Sequence, residues 1–215
     1  LALIDDCGAD LLILDDGFQN PALAKDLSLV VVDRGFALGN GRTMPAGPLR
    51  APLADQFARA SALVVVDAGE PDAPSLAPLR AEAVRRRLPV LEARLAPHQP
   101  ERFAGHRVLA WAGIGRPEKF AATLSACGAE VVDLVGFADH QRLEERDAEA
   151  LLAAAAERGL DLVTTEKDAA RLAGTASPAL IRLALASRVL AVDLVFDDPA
   201  AITALVAGLP RAAQR

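Results

Sequence analysis

The chain has 215 residues and a mass of 22.5 kDa, long enough to bury one large core or two small ones. Hydrophobic residues make up 52% and charged residues 24%, which excludes a disordered chain. Lys and Arg number 23 against 29 Asp and Glu, and the net charge of −6 removes the general attraction to polyphosphate on which nucleic-acid binding rests, so no nucleic-acid partner is expected.

In chain order, residues 11–14 form a short apolar run ending in Asp15-Asp16-Gly17, the pattern of a buried strand followed by a turn. Residues 27–32 and 62–66 repeat the pattern, ending in Asp33 and Asp67. Runs of this kind, separated by crossovers, favour a parallel sheet with ligands gathered at the carboxyl ends of its strands. Residues 73–87 have helical spacing and end in Arg85-Arg86-Arg87, where cations suit the helix dipole. Residues 89–97 alternate as a strand, and His98-Gln99-Pro100 marks a boundary.

The α/β rhythm then restarts. A strand over 107–112 runs into the Gly113-Ile114-Gly115 turn and a helix that ends near Gly128. A strand over 131–135, an Ala-rich helix over 147–157 and a strand over 160–164 follow, and Thr165-Glu166-Lys167-Asp168 opens another helix in the manner of a capping box. Residues 187–196 alternate and are expected to return to pair with 89–97. The expected organisation is a core-domain remainder over 1–97 and a second, smaller α/β domain over 98–215, joined by that β linker.

The two cysteines, Cys7 and Cys127, lie far apart without a C-x-x-C or a nearby histidine pair, so neither a disulfide scaffold nor a zinc site is expected. No apolar run approaches the roughly 18 residues of a membrane span. The chain opens on Leu1 rather than Met, and we expect a piece of a longer protein.

Three segments carry chemistry. Asp15 and Asp16, at the expected strand end, are suited to bind Mg²⁺ or its waters beside a nucleotide phosphate; the same doublet also serves as an ordinary turn former. The loop from Gly39 to Arg50 combines Gly and Pro with the guanidinium groups of Arg42 and Arg50, a composition for phosphate or sugar recognition or for a plain connector. Asp139-His140 offers an imidazole beside a carboxylate, a proton relay or a surface pair. Thr165 reads as a helix cap, Lys167 as a residue that can face an anion, and Trp111 as packing. No G-x-x-x-x-G-K-S/T sequence occurs, so the strand-end carboxylates stand without a phosphate-cradling loop.

Taken in order, LDDGFQ, GNGRTMPAGPLR, AWAGIGRPEKF, FADHQ and TTEKDAARL resemble the tetraacyldisaccharide 4′-kinase (lipid A kinase) family over nearly the whole chain. The resemblance implies a P-loop-kinase-like parallel sheet, incomplete here for want of its N-terminal strands, plus a second α/β domain. It implies transfer of the γ-phosphate of ATP, with Mg²⁺, to the 4′-hydroxyl of a lipid A disaccharide precursor. It places the complete protein at the cytoplasmic face of the bacterial inner membrane, as a peripheral protein held mainly through an N-terminal region. By motif, Asp15 and Asp16 take the Walker B and metal positions, Gln19 lies close to metal and phosphates, and His140 pairs with an upstream aspartate to activate the sugar hydroxyl. Asn40, Arg42 and Arg50 are the substrate-binding candidates. The chain departs from the family pattern at Asn20, where His is usual, and at Ala51, where Glu is usual. The alternative is a non-catalytic α/β binding module that has lost the phosphate loop.

Overall fold

The computed structural model describes residues 11–67, 69–138 and 141–210. They divide into two compact units, Leu1–Leu95 with Leu194–Arg215, and Ala96–Asp193. The chain passes from one unit to the other after Leu95 and returns before Leu194.

In the first unit, β1 (Leu29–Asp33), β2 (Ala62–Asp67) and β3 (Val90–Pro97) are parallel neighbours, with Val31 opposite Val64 and Val64 opposite Leu91. The helices α1 (Leu53–Phe57) and α2 (Leu76–Arg85) lie in the crossovers. Val30, Val32, Leu63 and Val65 pack with Phe57, Leu76, Leu79 and Ala83 on one face, and Val64, Leu91 and Ala93 pack on the other. Runs without alternation form here because both faces of β2 are buried. Arg85 and Arg86 both pair with Glu82, so the basic triplet at the helix end is partly neutralised by its own helix.

The strand expected at residues 11–14 is not formed. The segment enters a turn at Asp15 and Asp16, and its apolar side chains are exposed, Ile13 to 83%. An apolar run becomes a strand only where a neighbour supplies backbone partners, and no strand among the described residues does so here.

In the second unit, β4 (Arg107–Ala112), β5 (Glu130–Gly136), β6 (Asp161–Thr165) and β7 (Ser187–Leu190) form a parallel sheet in the order β5-β4-β6-β7. Val108, Ala110 and Ala112 face a cluster with Phe120 and Leu124, whereas Leu109 and Trp111 face one with Ala148, Leu151 and Leu183. The covering helices are α3 (Pro117–Ala126), α4 (Glu145–Arg158), α5 (Glu166–Leu172) and α6 (Pro178–Ala186). Each fully buried Leu or Val contributes about 1.5–3 kcal/mol relative to exposure, so the central strand β4 anchors this unit. A capping box between Glu144 and Asp147 starts α4, and Gly159, at φ +60°, ends it in the left-handed conformation.

The alternating stretch 187–196 is two strands rather than one. Residues 187–190 are β7, and β8 (Val192–Phe196) lies beside β3 in the order β1-β2-β3-β8. The Asp197 amide donates to the Glu92 carbonyl and the His98 amide to the Ala191 carbonyl, an antiparallel order. The last helix, α7 (Pro199–Ala207), is capped by Asp198, whose carboxylate accepts from the Ala200 and Ala201 amides. Its Ile202 and Leu205 pack on the Val64 face of the first sheet.

Candidate functional site

The loop after β1 is built by its own polar atoms. The Asn40 amide donates to the Ala46 carbonyl at 2.8 Å, and its oxygen accepts from the Arg42 amide at 3.1 Å. Leu49 N donates to Arg42 O at 3.1 Å, and Met44 N to Leu49 O at 2.8 Å, which closes the loop on itself. Gly41, at φ +70°, supplies a left-handed turn, and Gly47 lies so close to the loop wall that a Cβ would meet Asn40 Oδ1 at 2.1 Å and the Arg42 carbonyl oxygen at 2.4 Å. Proline at 45 and 48 stiffens the remainder.

This closed loop presents Arg50 to the acidic turn. Arg50 Nη1 is 2.5 Å from Asp16 Oδ1, with both side chains more than half exposed. Asp16 itself has φ +52°, a conformation that Asp tolerates better than most residues. Asp15 is exposed beside it, and Gln19 is half-buried in the next turn. The carboxylates expected to sit on a rigid strand end are therefore placed by a turn and a cross-loop ion pair.

Of the other residues singled out from the sequence, Asn40 braces the loop with both ends of its amide, and Arg42 is exposed. His140 lies outside the described residues. Beside it, the Ala138 amide donates to Gln141 Oε1 at 3.0 Å, and the Gln141 amide to the Ala138 carbonyl at 2.9 Å. Asp16 belongs to the first unit, and these flanking residues belong to the second. Among the described residues no group of three His, Cys, Asp or Glu is arranged to hold a metal. Asp15 and Asp16 present hard carboxylate oxygens, the donor type that Mg²⁺ takes, and one oxygen of Asp16 is engaged by Arg50.

Two clusters escaped the sequence reading. Arg34, directly after β1, contacts Asp67 at 3.1 Å, Asp72 at 3.5 Å and Glu92 at 3.1 Å, and Glu92 also binds Arg80 at 2.9 Å. The hydrogen bond to Glu92 holds the guanidinium pKa above its ordinary value, with the Asp67 and Asp72 charges adding to it against a burial cost. The network ties the carboxyl ends of β1 and β2 to β3. Its sequence signal, an Arg following a strand-ending Asp, is no more than a hint. The other cluster centres on Asp168, read from sequence as part of a capping box and found fully buried.

Comparison with known proteins adds three observations. The sequence pattern of the family described as Tetraacyldisaccharide-1-P 4'-kinase matches residues 1–209. A tetraacyldisaccharide 4'-kinase of Methylorubrum extorquens is 50% identical over 206 residues, 95% of this chain and 60% of that protein. One of Nitrobacter winogradskyi is 48% identical over 197 residues, with 91% and 57% covered. The chain thus spans about 60% of the length of the curated relatives it matches. The crystal structure of "apo" form LpxK from Aquifex aeolicus in complex with ATP matches with a TM-score of 0.54 at 20% identity, covering 89% of this chain and 55% of the other. At that identity the match bears on fold alone, and it agrees with the α/β architecture of mainly parallel sheets described above.

Proposed function

The chain belongs to the tetraacyldisaccharide-1-P 4'-kinase family, and from that premise we propose that the complete protein transfers the γ-phosphate of ATP to the 4′-hydroxyl of a tetraacylated glucosamine disaccharide 1-phosphate in lipid A biosynthesis. The observation that carries the reading is the Arg50–Asp16 contact. It joins two segments that carry separate parts of the family resemblance.

In this reading Asp15 and Asp16 hold Mg²⁺, with Gln19 alongside. When bound there, the ion would supply positive charge against the phosphates. Arg50 orients Asp16, and Arg42 and Arg50 supply the cationic surface for the acceptor, on a loop that Asn40 holds in shape. His140 takes the proton of the attacking hydroxyl, oriented by an aspartate from the part of the protein outside this chain. In this reading a part of the complete protein beyond these 215 residues also supplies the phosphate-cradling loop; no G-x-x-x-x-G-K-S/T occurs within them. Work on an amphiphilic substrate suits a peripheral position at the cytoplasmic face of the inner membrane, and no helix among the described residues is long and apolar enough to cross a membrane.

The test is phosphate transfer from labelled ATP to the disaccharide by the complete protein. His140→Ala should lower turnover by about 10²–10⁴ while ATP affinity changes little. Full turnover in that variant ends the role given to His140, and absence of a phosphorylated disaccharide with the unaltered protein ends the reading as a whole.

A further inference from the structure

Asp168 is a fully buried charged side chain at the start of α5, with 0% exposure. A buried carboxylate is costly unless its oxygens are satisfied, and here both oxygens have donors. Oδ2 accepts from the Gly113 amide at 3.0 Å and from the Thr165 hydroxyl at 2.7 Å, and Oδ1 accepts from Arg171 Nη1 at 2.9 Å. The same Arg171 nitrogen donates to the Gly113 carbonyl at 2.7 Å. Two side chains of one helix therefore hold both backbone groups of the residue that follows β4. A Cβ at position 113 would stand 3.1 Å from Asp168 Oδ1 and 3.2 Å from Arg171 Nη1, so a side chain there would press the clasp open by a few tenths of an ångström.

The two residues just before Gly113 meet the start of the next loop. The Phe137 amide donates to the Ala112 carbonyl at 2.9 Å, and the Phe137 ring meets Trp111 edge-on with centroids 6.5 Å apart. Trp111 is fixed in turn by its Nε1–H bond of 3.0 Å to Ser187 Oγ. Trp111 and Ala112, directly before the clasped Gly113, thus form a platform for Phe137, three positions before His140 in the sequence. A helix cap alone needs no clamp on a different strand's end.

We propose that Asp168 and Arg171 are positioning residues of the phosphotransfer reaction: by clamping the Gly113 turn they set the platform from which the chain runs on to His140. The inference rests on the general-base role proposed for His140. Misplacement of a reacting group by about 1 Å can cost on the order of 10²-fold in rate. In the complete protein Asp168→Asn, which removes the charge facing Arg171, should therefore lower kcat by about 10–100-fold while KM for ATP stays within about threefold. Arg171→Lys keeps the charge without the planar fork and should retain more kcat than Arg171→Gln, a graded rescue. Amide hydrogen exchange should quicken at Gly113 and Phe137 in each variant and stay unchanged at Val64 in the other unit.

His140→Ala is measured alongside. If it abolishes turnover while folded Asp168→Asn and Arg171→Lys keep kcat within twofold of the unaltered enzyme, the positioning inference is wrong and the general-base role stands. If His140→Ala retains full turnover, both fail together. Should Asp168→Asn not fold, the Arg171 pair decides: equal kcat for Lys and Gln, with only thermal stability lowered, makes the clasp a folding element and overturns the proposal.

Discussion

Arg50 Nη1 lies 2.5 Å from Asp16 Oδ1, joining residues 34 positions apart in the chain. With side-chain exposures of 52% and 65%, this is a solvent-screened pair worth at most about 1 kcal/mol to folding. In the proposed reaction its part is to hold the geometry of the carboxylate doublet. Asp16→Asn and Arg50→Gln should each change the unfolding free energy of the complete protein by less than about 1 kcal/mol, while phosphate transfer falls by about 10²–10³, as when one group that stabilises transition-state charge is removed. Urea unfolding and turnover measured on the same samples check this. Parallel loss of stability and activity would assign the pair a purely structural role.

The Gly-rich loop makes a sharper steric prediction. Gly47→Ala places a Cβ against Asn40 Oδ1 and the Arg42 carbonyl, at 2.1 and 2.4 Å, so the loop must open at a cost of about 1–3 kcal/mol. Gly41→Ala meets nothing within 4 Å and bears only the penalty of its φ of +70°, about 1 kcal/mol. Thermal unfolding of the two variants should rank them in that order, and the Gly47 variant alone should also lose affinity for the acceptor substrate.

A pH dependence follows from Asp133. Its hydrogen bond from Arg158, at 2.6 Å, with a second from the Leu134 amide, holds the carboxyl below its ordinary value. A carboxylate whose pKa is depressed by folding contributes stability above its unfolded pKa, about 3.9, and loses it as pH falls through the folded value. Arg158→Gln should therefore be less stable than the unaltered protein at pH 5–7 by under about 1 kcal/mol, the pair being partly exposed. The gap should close as the pH drops below about 3.9. Denaturant unfolding across that range checks it; a gap that widens in acid contradicts the assignment.

Cys127, buried at the end of α3, has its thiol pKa pushed up by burial. Because the thiolate is the reactive form, alkylation by iodoacetamide at pH 8 should be at least about tenfold slower in the folded protein than in 6 M urea. Mass spectrometry of the peptide containing Cys127 gives both rates.

Much of the second unit was legible before any coordinates. The apolar runs at 107–112, 131–135 and 160–164 appear as β4, β5 and β6, and Thr165 caps α5 by accepting the Asp168 amide. These signals are local: strand length, flanking glycine and cap chemistry act within a few residues. Residues 11–14 have the same composition and form no strand, because strand formation depends on a neighbour that composition cannot supply. The split of 187–196 between two sheets was hidden for a related reason, since alternation specifies faces and not partners. The helix Pro178–Ala186 went unread although Ser177, just before it, caps the Leu180 amide.

The family, the identity of the carboxylate doublet and the glycine content of the loop were determined by the amino-acid order alone, because each depends on residue types at short, fixed spacing. Only the tertiary structure decided that Arg50 meets Asp16, that Arg34 gathers three acids from two strands and a loop, and that Asp168 is buried against Gly113. Those contacts join residues tens of positions apart, and a charged side chain finds its partner through the packing of the sheets that carry it, which no local pattern encodes.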